Sequence, residues 1–277
     1  MKILNGNKIG QAILRDLKRK IAQEKTKPGL GVVLIGNDKA SQIYVSLKEK
    51  ACLEIGIVFR MIKLNAKVKE KEILGEIRKL NNDKDIHGII VQLPLPDRLN
   101  TNKIISIIDP KKDVDGFHKE NVKLFLEGEE RFVPVFPGAI MKLIEESGRN
   151  LRNARTLVAA NSKEFGEMMK MFLERKGADA EYVLQKDFKK NLEKIKNADI
   201  VVSACGVPEM ITGEMLKNGA VMIDGGISKK GKKTLGDVDF NSTKKLSGFL
   251  SPVSGGVGPV TVACLLKNTY EAMKKSR

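Results

Sequence analysis

The chain has no tryptophan and only three tyrosines, three cysteines and two histidines among 277 residues. Each shortage excludes something. Cys52, Cys205 and Cys264 are too widely separated for a zinc pattern or a disulfide framework, and are expected to be small buried apolar residues. With only His87 and His118 available, a histidine-based metal site is not expected, and no metal is assigned. No run approaches the ~18 consecutive apolar residues that suggest a membrane span. The opening, Met1-Lys2-Ile3-Leu4-Asn5-Gly6, lacks the apolar core and cleavage site of a secretory signal. A cytoplasmic protein with no membrane partner is expected.

Acidic residues are also scarce relative to basic ones, 34 against 50, for a net charge of +16. Such a balance favours polyanions. Lys and Arg, however, are spread along helical faces such as Arg15-Asp16-Leu17-Lys18-Arg19-Lys20 and do not interleave with aromatics. No nucleic-acid-binding motif accompanies them. An anionic small substrate accounts for the charge equally well. No specific nucleic-acid partner is expected, and a basic nucleic-acid-binding protein is the remote alternative.

What is present points to an α/β architecture. Apolar residues make up 42% of the chain, enough for a core, and the length suits two domains. Ile9, Ile13, Leu17 and Ile21 recur at helical spacing and predict a helix over 6–25. Leu30 to Ile35 is a buried strand; 40–55 is a helix stopped by Gly56; Ile57 to Leu64 is a strand; 68–81 is a helix. Ile86 to Leu93 is a strand ended by prolines, followed by a short helix over 101–108 and a loop over 109–117. A second unit begins near Pro137, with a connecting helix over 138–147. Strands Thr156–Ala160, Ala180–Leu184, Ile200–Ala204 and Ala220–Asp224 then alternate with helices over 164–176, 188–197 and 212–217. That is the pattern of a nucleotide-binding sheet. A last helix covers 258–273. The expected fold is two α/β domains around a cleft. Residues 1–137, completed by 258–277, form the first, and residues 138–257 form a Rossmann-type NAD(P)-binding domain.

Three segments carry candidate chemistry. Tyr44 and Lys48, four apart, share one helix face, with Ile43, Leu47 and Ala51 expected as the neighbouring buried stripe. A lysine at the edge of such a stripe is desolvated, and its pKa falls from its reference of ~10.4 toward a useful acid or base. A surface tyrosine with a snorkelling lysine is the alternative. Gln92 lies near the C-terminal end of an apolar strand, where open α/β sheets face their ligand crevice. Its amide can orient a water, a substrate or the lysine amine. Asp115 sits beside Gly116, which lets backbone approach a ligand; its carboxylate can accept two hydrogen bonds from an amino-heterocycle, or serve as a turn former. Tyr-x-x-x-Lys is also the spacing of short-chain dehydrogenases, but residues 1–35 hold no Gly-x-x-x-Gly-x-Gly.

Taken together, Ser41-x-x-Tyr44-x-x-x-Lys48-x-Lys50-Ala51, Gly88-Ile89-Ile90-Val91-Gln92-Leu93-Pro94-Leu95-Pro96, Asp109-Pro110-x-Lys112-Asp113-Val114-Asp115-Gly116-Phe117 and Gly255-Gly256-Val257-Gly258-Pro259-x-Thr261 resemble the bifunctional methylenetetrahydrofolate dehydrogenase/methenyltetrahydrofolate cyclohydrolase family. The resemblance covers nearly the whole chain. It implies that Lys48 manages protons in the hydrolysis of methenyltetrahydrofolate to formyltetrahydrofolate, and that Gln92 hydrogen-bonds Lys48. It further implies that Tyr44 packs on the folate and Asp115 binds the amino-pyrimidine edge of the pterin. Ser41 and Leu93 join the substrate site, and Pro252, Gly255 and Gly256 shape the folate loop. Folates are the implied substrates, and a homodimer, with the second domain contributing to its interface, is the implied assembly.

The resemblance also implies NADP-dependent oxidation of methylenetetrahydrofolate, with Asn161, Ser162, Gly166, Gly206, Gly225 and Ile227 around the dinucleotide. Here the pattern departs. The family loop reads roughly Gly-Arg-Ser-x-x-Val-Gly-x-Pro; this chain has Ala160-Asn161-Ser162-Lys163-Glu164-Phe165-Gly166-Glu167-Met168. A cofactor-contacting Thr is replaced by Phe136, and a polar His-Ser segment by Leu184-Gln185-Lys186-Asp187. Glu164 and Glu167 add negative charge where phosphate is expected. Reduced or absent NADP affinity is therefore expected, with NAD, or no dinucleotide at all, as the alternatives and a cyclohydrolase with a degenerate cofactor site as the alternative activity.

Overall fold

The computed structural model describes residues 1–231 and 233–276; Arg277, the end of the expected C-terminal segment, lies outside them. In chain order the elements are β1 (Lys2–Ile3), α1 (Gly6–Ala22), β2 (Gly29–Ile35), α2 (Lys39–Ile55), β3 (Val58–Leu64), α3 (Glu70–Asn82), β4 (Gly88–Val91), α4 (Thr101–Ile105) and α5 (Lys119–Glu127). There follow α6 (Val135–Glu146), β5 (Arg155–Ala160), α7 (Lys163–Arg175), β6 (Asp179–Leu184), α8 (Leu192–Asn197), β7 (Ile200–Ala204), β8 (Val221–Asp224), β9 (Ser228–Lys230), β10 (Lys233–Leu235), β11 (Phe249–Ser251) and α9 (Val257–Lys275). Two compact units result: Gln11–Val135 with Val262–Arg277, and Met1–Gly10 with Phe136–Thr261. The sequence placed residues 1–10 with the first of these. Instead β1 pairs in parallel with β11, Lys2 opposite Phe249 and Ile3 opposite Leu250, so the chain start belongs to the second.

The first unit has a three-stranded parallel sheet in the order β3-β2-β4. Central β2 is buried along its whole length, as a parallel strand covered on both faces must be. Its side chains alternate. Leu30, Val32 and Leu34 meet Leu17 and Ile21 of α1, Val45, Cys52 and Ile55 of α2 and Leu265 and Leu266 of α9. Val33 and Ile35 meet Ile73, Ile77 and Leu80 of α3. The chain leaves β2 for β3 on one side and then β4 on the other, so the ends of β2 and β4 flank a topological switch point, the usual ligand crevice of such sheets.

The second unit has a six-stranded parallel sheet in the order β1-β11-β8-β7-β5-β6. Its switch point lies between β5 and β7. The helix expected over 188–197 is a 3-10 stretch over 185–191 followed by α8, and the one expected over 212–217 is a single 3-10 turn, Gly213–Met215. Among the described residues no helix is long and apolar enough to cross a membrane.

Candidate functional site

In the first unit, α2 starts at the switch point. Asp38 caps it, accepting from Ser41 N–H at 2.7 Å, and Gly56, at φ 86°, ends it in the left-handed region. The buried face of the helix carries Ser41, Val45, Ala51, Cys52 and Ile55. The expected stripe is corrected here: Ile43 and Leu47 are exposed, at 59% and 51%. The helix has apolar residues on two faces, and the sheet takes the one that also holds Tyr44 and Lys48. Both of these are half-buried. Lys48 Nζ donates to Gln92 Oε1 at 2.9 Å. Gln92 Nε2 donates to the Leu93 carbonyl at 2.7 Å. That second bond fixes the amide so that its oxygen faces the lysine. Leu93 therefore contributes through its backbone.

Asp115 reaches the same site from the segment beside β4, where Asp113 bridges to Ile89. The turn-forming role considered for Asp115 belongs to Asp113. That buried carboxylate accepts from Gly116 N–H (3.2 Å), His118 N–H (2.8 Å) and Asn121 Nδ2 (2.9 Å). Gly116 has φ 84°, and a Cβ there would lie 2.9 Å from Pro134 Cα, so only glycine fits. Asn268 of α9 donates to the carbonyls of Val114 and Val133, both at 2.9 Å, pinning the segment from the far end of the chain. Asp115 is thus presented while its neighbours are tied down.

The electrostatics follow from burial. Desolvation lowers the Lys48 pKa, opposed by the charge of Asp115. Desolvation pushes Asp115 up to about 6, with the Lys48 charge pulling it down and Asp113 pushing it up. Burial raises Tyr44 and pushes Cys52 up to about 12, leaving that thiol inert. Ser41, 4% exposed, has a hydroxyl with no hydrogen-bond partner. A buried hydroxyl without a partner calls for one, which a water or a ligand atom would supply.

In the second unit, Ser162 caps α7 and accepts from Phe165 N–H at 3.3 Å, and Asn161 N–H continues the sheet to the Ala204 carbonyl. Gly206, at φ 70°, has nothing within 4 Å of where a Cβ would be. Gly166 serves helix packing, since a Cβ there would lie 2.5 Å from the Tyr182 ring. Ile227 is exposed. Gly225 sits under Phe136, whose Cζ would be 2.8 Å from a Cβ, and Phe136 packs on Phe165 with the rings tilted by 40° and centroids 5.2 Å apart. The sequence flagged Phe136 but not its partner. Pro252, Gly255 and Gly256 also lie in this unit. Gly6, which opens α1, has room for no Cβ: one would lie 1.7 Å from the Gly256 carbonyl oxygen.

Residues 4–115 match the catalytic domain of tetrahydrofolate dehydrogenase/cyclohydrolase, and residues 134–277 its NAD(P)-binding domain. The chain belongs to that family. It is 41% identical to the bifunctional protein FolD of Moorella thermoacetica over 277 residues, 99% of each chain. Among solved structures, the bifunctional FolD enzyme of Campylobacter jejuni superposes with a TM-score of 0.94 at 36% identity over 100% of both chains. The Trypanosoma brucei methylenetetrahydrofolate dehydrogenase-cyclohydrolase, complexed with NADP and an inhibitor, gives 0.93 at 32% identity, covering 99% of this chain and 97% of that one. Sequence reasoning missed Asp113, Asn121 and Asn268 as the frame behind Asp115; the Asp-x-Asp-Gly spacing of 113–116 was the available signal.

Proposed function

We propose that this family member hydrolyses methenyltetrahydrofolate to formyltetrahydrofolate and, as its second reaction, oxidises methylenetetrahydrofolate with NADP. The observation that carries the first reaction is the 2.9 Å contact from Lys48 to an amide oxygen held in place by its own second bond. The methenyl carbon is an electrophilic amidinium, so water needs a base and orientation more than a metal. Neutral Lys48, favoured by burial, takes a proton as the water oxygen bonds to that carbon. It returns the proton to the ring nitrogen as the carbon–nitrogen bond breaks, and the remaining hydroxyl proton leaves to solvent as the formyl C=O forms. Gln92 orients the amine, Asp115 accepts from the amino-pyrimidine edge, Tyr44 packs on the folate, and Ser41 offers its unpartnered hydroxyl.

For the second reaction, the chemistry supplied by a bound dinucleotide is acceptance of a hydride. Ser162, the first turn of α7 and the open side of Gly206 fit it, because a helix N-terminus receives phosphate. The Gly225 side fits it less well, since Phe136 and Phe165 stand there. The first turn of α7 also carries Glu164, and Lys163 is drawn to Glu167 at 3.5 Å. That supports a second reading, a cyclohydrolase with weakened dinucleotide binding. Both activities are measured on one preparation, together with NADP and NAD affinity. Hydrolysis without turnover of Lys48 variants supports the first reaction; no hydrolysis by the native chain overturns it. Phe136→Thr is expected to tighten NADP about tenfold, roughly 1.4 kcal/mol. A native micromolar dissociation constant sinks the second reading.

The assembly is a homodimer in this proposal. Its support is the family resemblance, which implies that the second unit contributes to the interface; Ile43, Leu47 and Leu53 of α2 and Val58 and Met61 of edge strand β3 are further exposed apolar residues. Light scattering giving a monomer mass would overturn it.

A further inference from the structure

The second unit holds two buried aspartates, Asp224 at the end of β8 and Asp237 in the segment after β10, exposed by 3% and 0%. Their oxygens are filled by backbone amides and one hydroxyl. Asp237 Oδ2 accepts from Ser203 Oγ at 2.5 Å and Cys205 N–H at 2.7 Å, and its Oδ1 accepts from Val207 N–H at 2.8 Å. Asp224 accepts from Gly226 N–H (3.1 Å), Asp237 N–H (3.0 Å) and Val238 N–H (3.0 Å). The two are interlocked. A Cβ on Gly226 would lie 2.1 Å from the Asp237 carboxyl, and one on Gly236 would lie 2.0 Å from the Asp224 carboxyl. Both glycines are needed for the carboxylates to enter.

The fastening extends along the loop that follows β7. Glu209 N–H donates to the Gly236 carbonyl at 3.0 Å and Ile211 N–H to the Asp237 carbonyl at 2.8 Å. Gly206 stands between the two amides that Asp237 holds. Its own positive φ leaves its open side free. This loop leaves the strand that borders the switch point, where a parallel sheet takes its ligand.

We infer that Asp237 is the positioning residue of the dinucleotide loop, presetting the backbone of Cys205–Val207 so that Gly206 stays open to the cofactor. The inference rests on the reading that this crevice takes NAD(P). Asparagine cannot replace the carboxylate. With one acceptor oxygen, either orientation of its amide sets an NH2 against a backbone N–H, at Cys205 or at Val207. A buried donor without an acceptor costs far more than a lost contact at the surface. Glutamate is excluded by the space that Gly226 only just provides.

The test is dinucleotide binding by calorimetry, with hydrogen exchange as the second measurement. Asp237→Asn is expected to weaken NADP and NAD binding about tenfold or more, and to raise the dinucleotide KM more than it lowers kcat, while hydrolysis of methenyltetrahydrofolate changes by less than about twofold. Ser203→Ala keeps both amide bonds and is expected to change binding by less than about threefold. In the native chain without dinucleotide, the Cys205 and Val207 amides exchange slowly and the Gly206 amide fast, and adding NADP leaves the first two unchanged. Equal affinity in Asp237→Asn overturns the inference, as does an equal loss of hydrolysis. So do Cys205 and Val207 amides that become protected only on adding NADP, a result that needs no variant to fold. A native chain that binds neither dinucleotide overturns the crevice reading itself, and this inference with it.

Discussion

Asp115 and Asp237 are both aspartates near the ends of parallel strands, and they are used in opposite ways. Every bond on Asp237 is made within the protein. No hydrogen bond to the Asp115 side chain is found among the described residues, and its neighbour Asp113 takes the backbone donors instead. A carboxylate whose lone pairs are filled by its own chain stiffens that chain. A half-buried carboxylate that its own chain leaves without donors stays available to those of a ligand. The pKa of Asp115, pushed up to about 6 by burial, is the imprint of that difference. The first unit keeps open valences at its switch point, whereas the second has closed most of them.

The strongest way to break the comparison is at Lys48. If the first unit is the reactive one, Lys48→Ala should lower kcat for hydrolysis by about 10²–10⁴, the usual weight of a positioned acid–base group. Dinucleotide affinity should stay unchanged. Hydrolysis within about tenfold of native would reduce Lys48 to a snorkelling lysine and leave the open valences without a purpose.

A smaller effect, of two signs, is expected at Asp115. Loss of its charge removes an ionised acceptor for the pterin edge, so Asp115→Asn should lower kcat/KM about 10–100-fold, mostly through KM. In the native chain kcat/KM should fall as pH drops through about 6, and the variant should lack that limb. Stability should move the other way. The folded pKa is raised, so the folded state binds more protons than the unfolded one between the ordinary carboxylate range and about 6. Stability therefore falls as pH rises through that window, and the deficit is complete above it. Asp115→Asn should melt higher than native at pH 7, where Asp237→Asn should melt lower. Thermal melts of the two variants at pH 7 and pH 5 decide the matter; a shared sign erases the distinction between the two aspartates.

How much of this was legible in the chain depends on how local the cause is. The βαβ alternation and the stop at Gly56 rest on short-range patterns and could be read directly, whereas the pairing of Lys48 with Gln92, 44 positions apart, followed only from the family resemblance. β1 could not be read directly. Two residues gain their place only by pairing with β11, 247 positions away (Lys2 to Phe249). α5 received no assignment from the sequence; it is only nine residues long and follows a Pro- and Gly-marked stretch. The face of α2 was misjudged since Ile43 and Leu47 keep helical spacing as well as Val45 and Cys52 do; tertiary packing chose between them. Asp237 gave no signal because its three donors lie 30–34 residues upstream, and a buried aspartate looks like a surface one until its partners are known.

The smallest and most discriminating change is Ser41→Ala. Most buried hydroxyls stabilise through a bond that alanine loses. Ser41 Oγ makes none, so its removal should leave stability unchanged or raise it by up to about 1 kcal/mol, the desolvation penalty no longer being incurred. If the orphan is held for the folate, KM should rise about two- to tenfold, the weight of one neutral hydrogen bond, with kcat nearly constant. Should Ser41→Ala instead melt lower and bind folate normally, the hydroxyl has a structural partner after all. The first unit would then resemble the second at this position, its valences closed like those around Asp237.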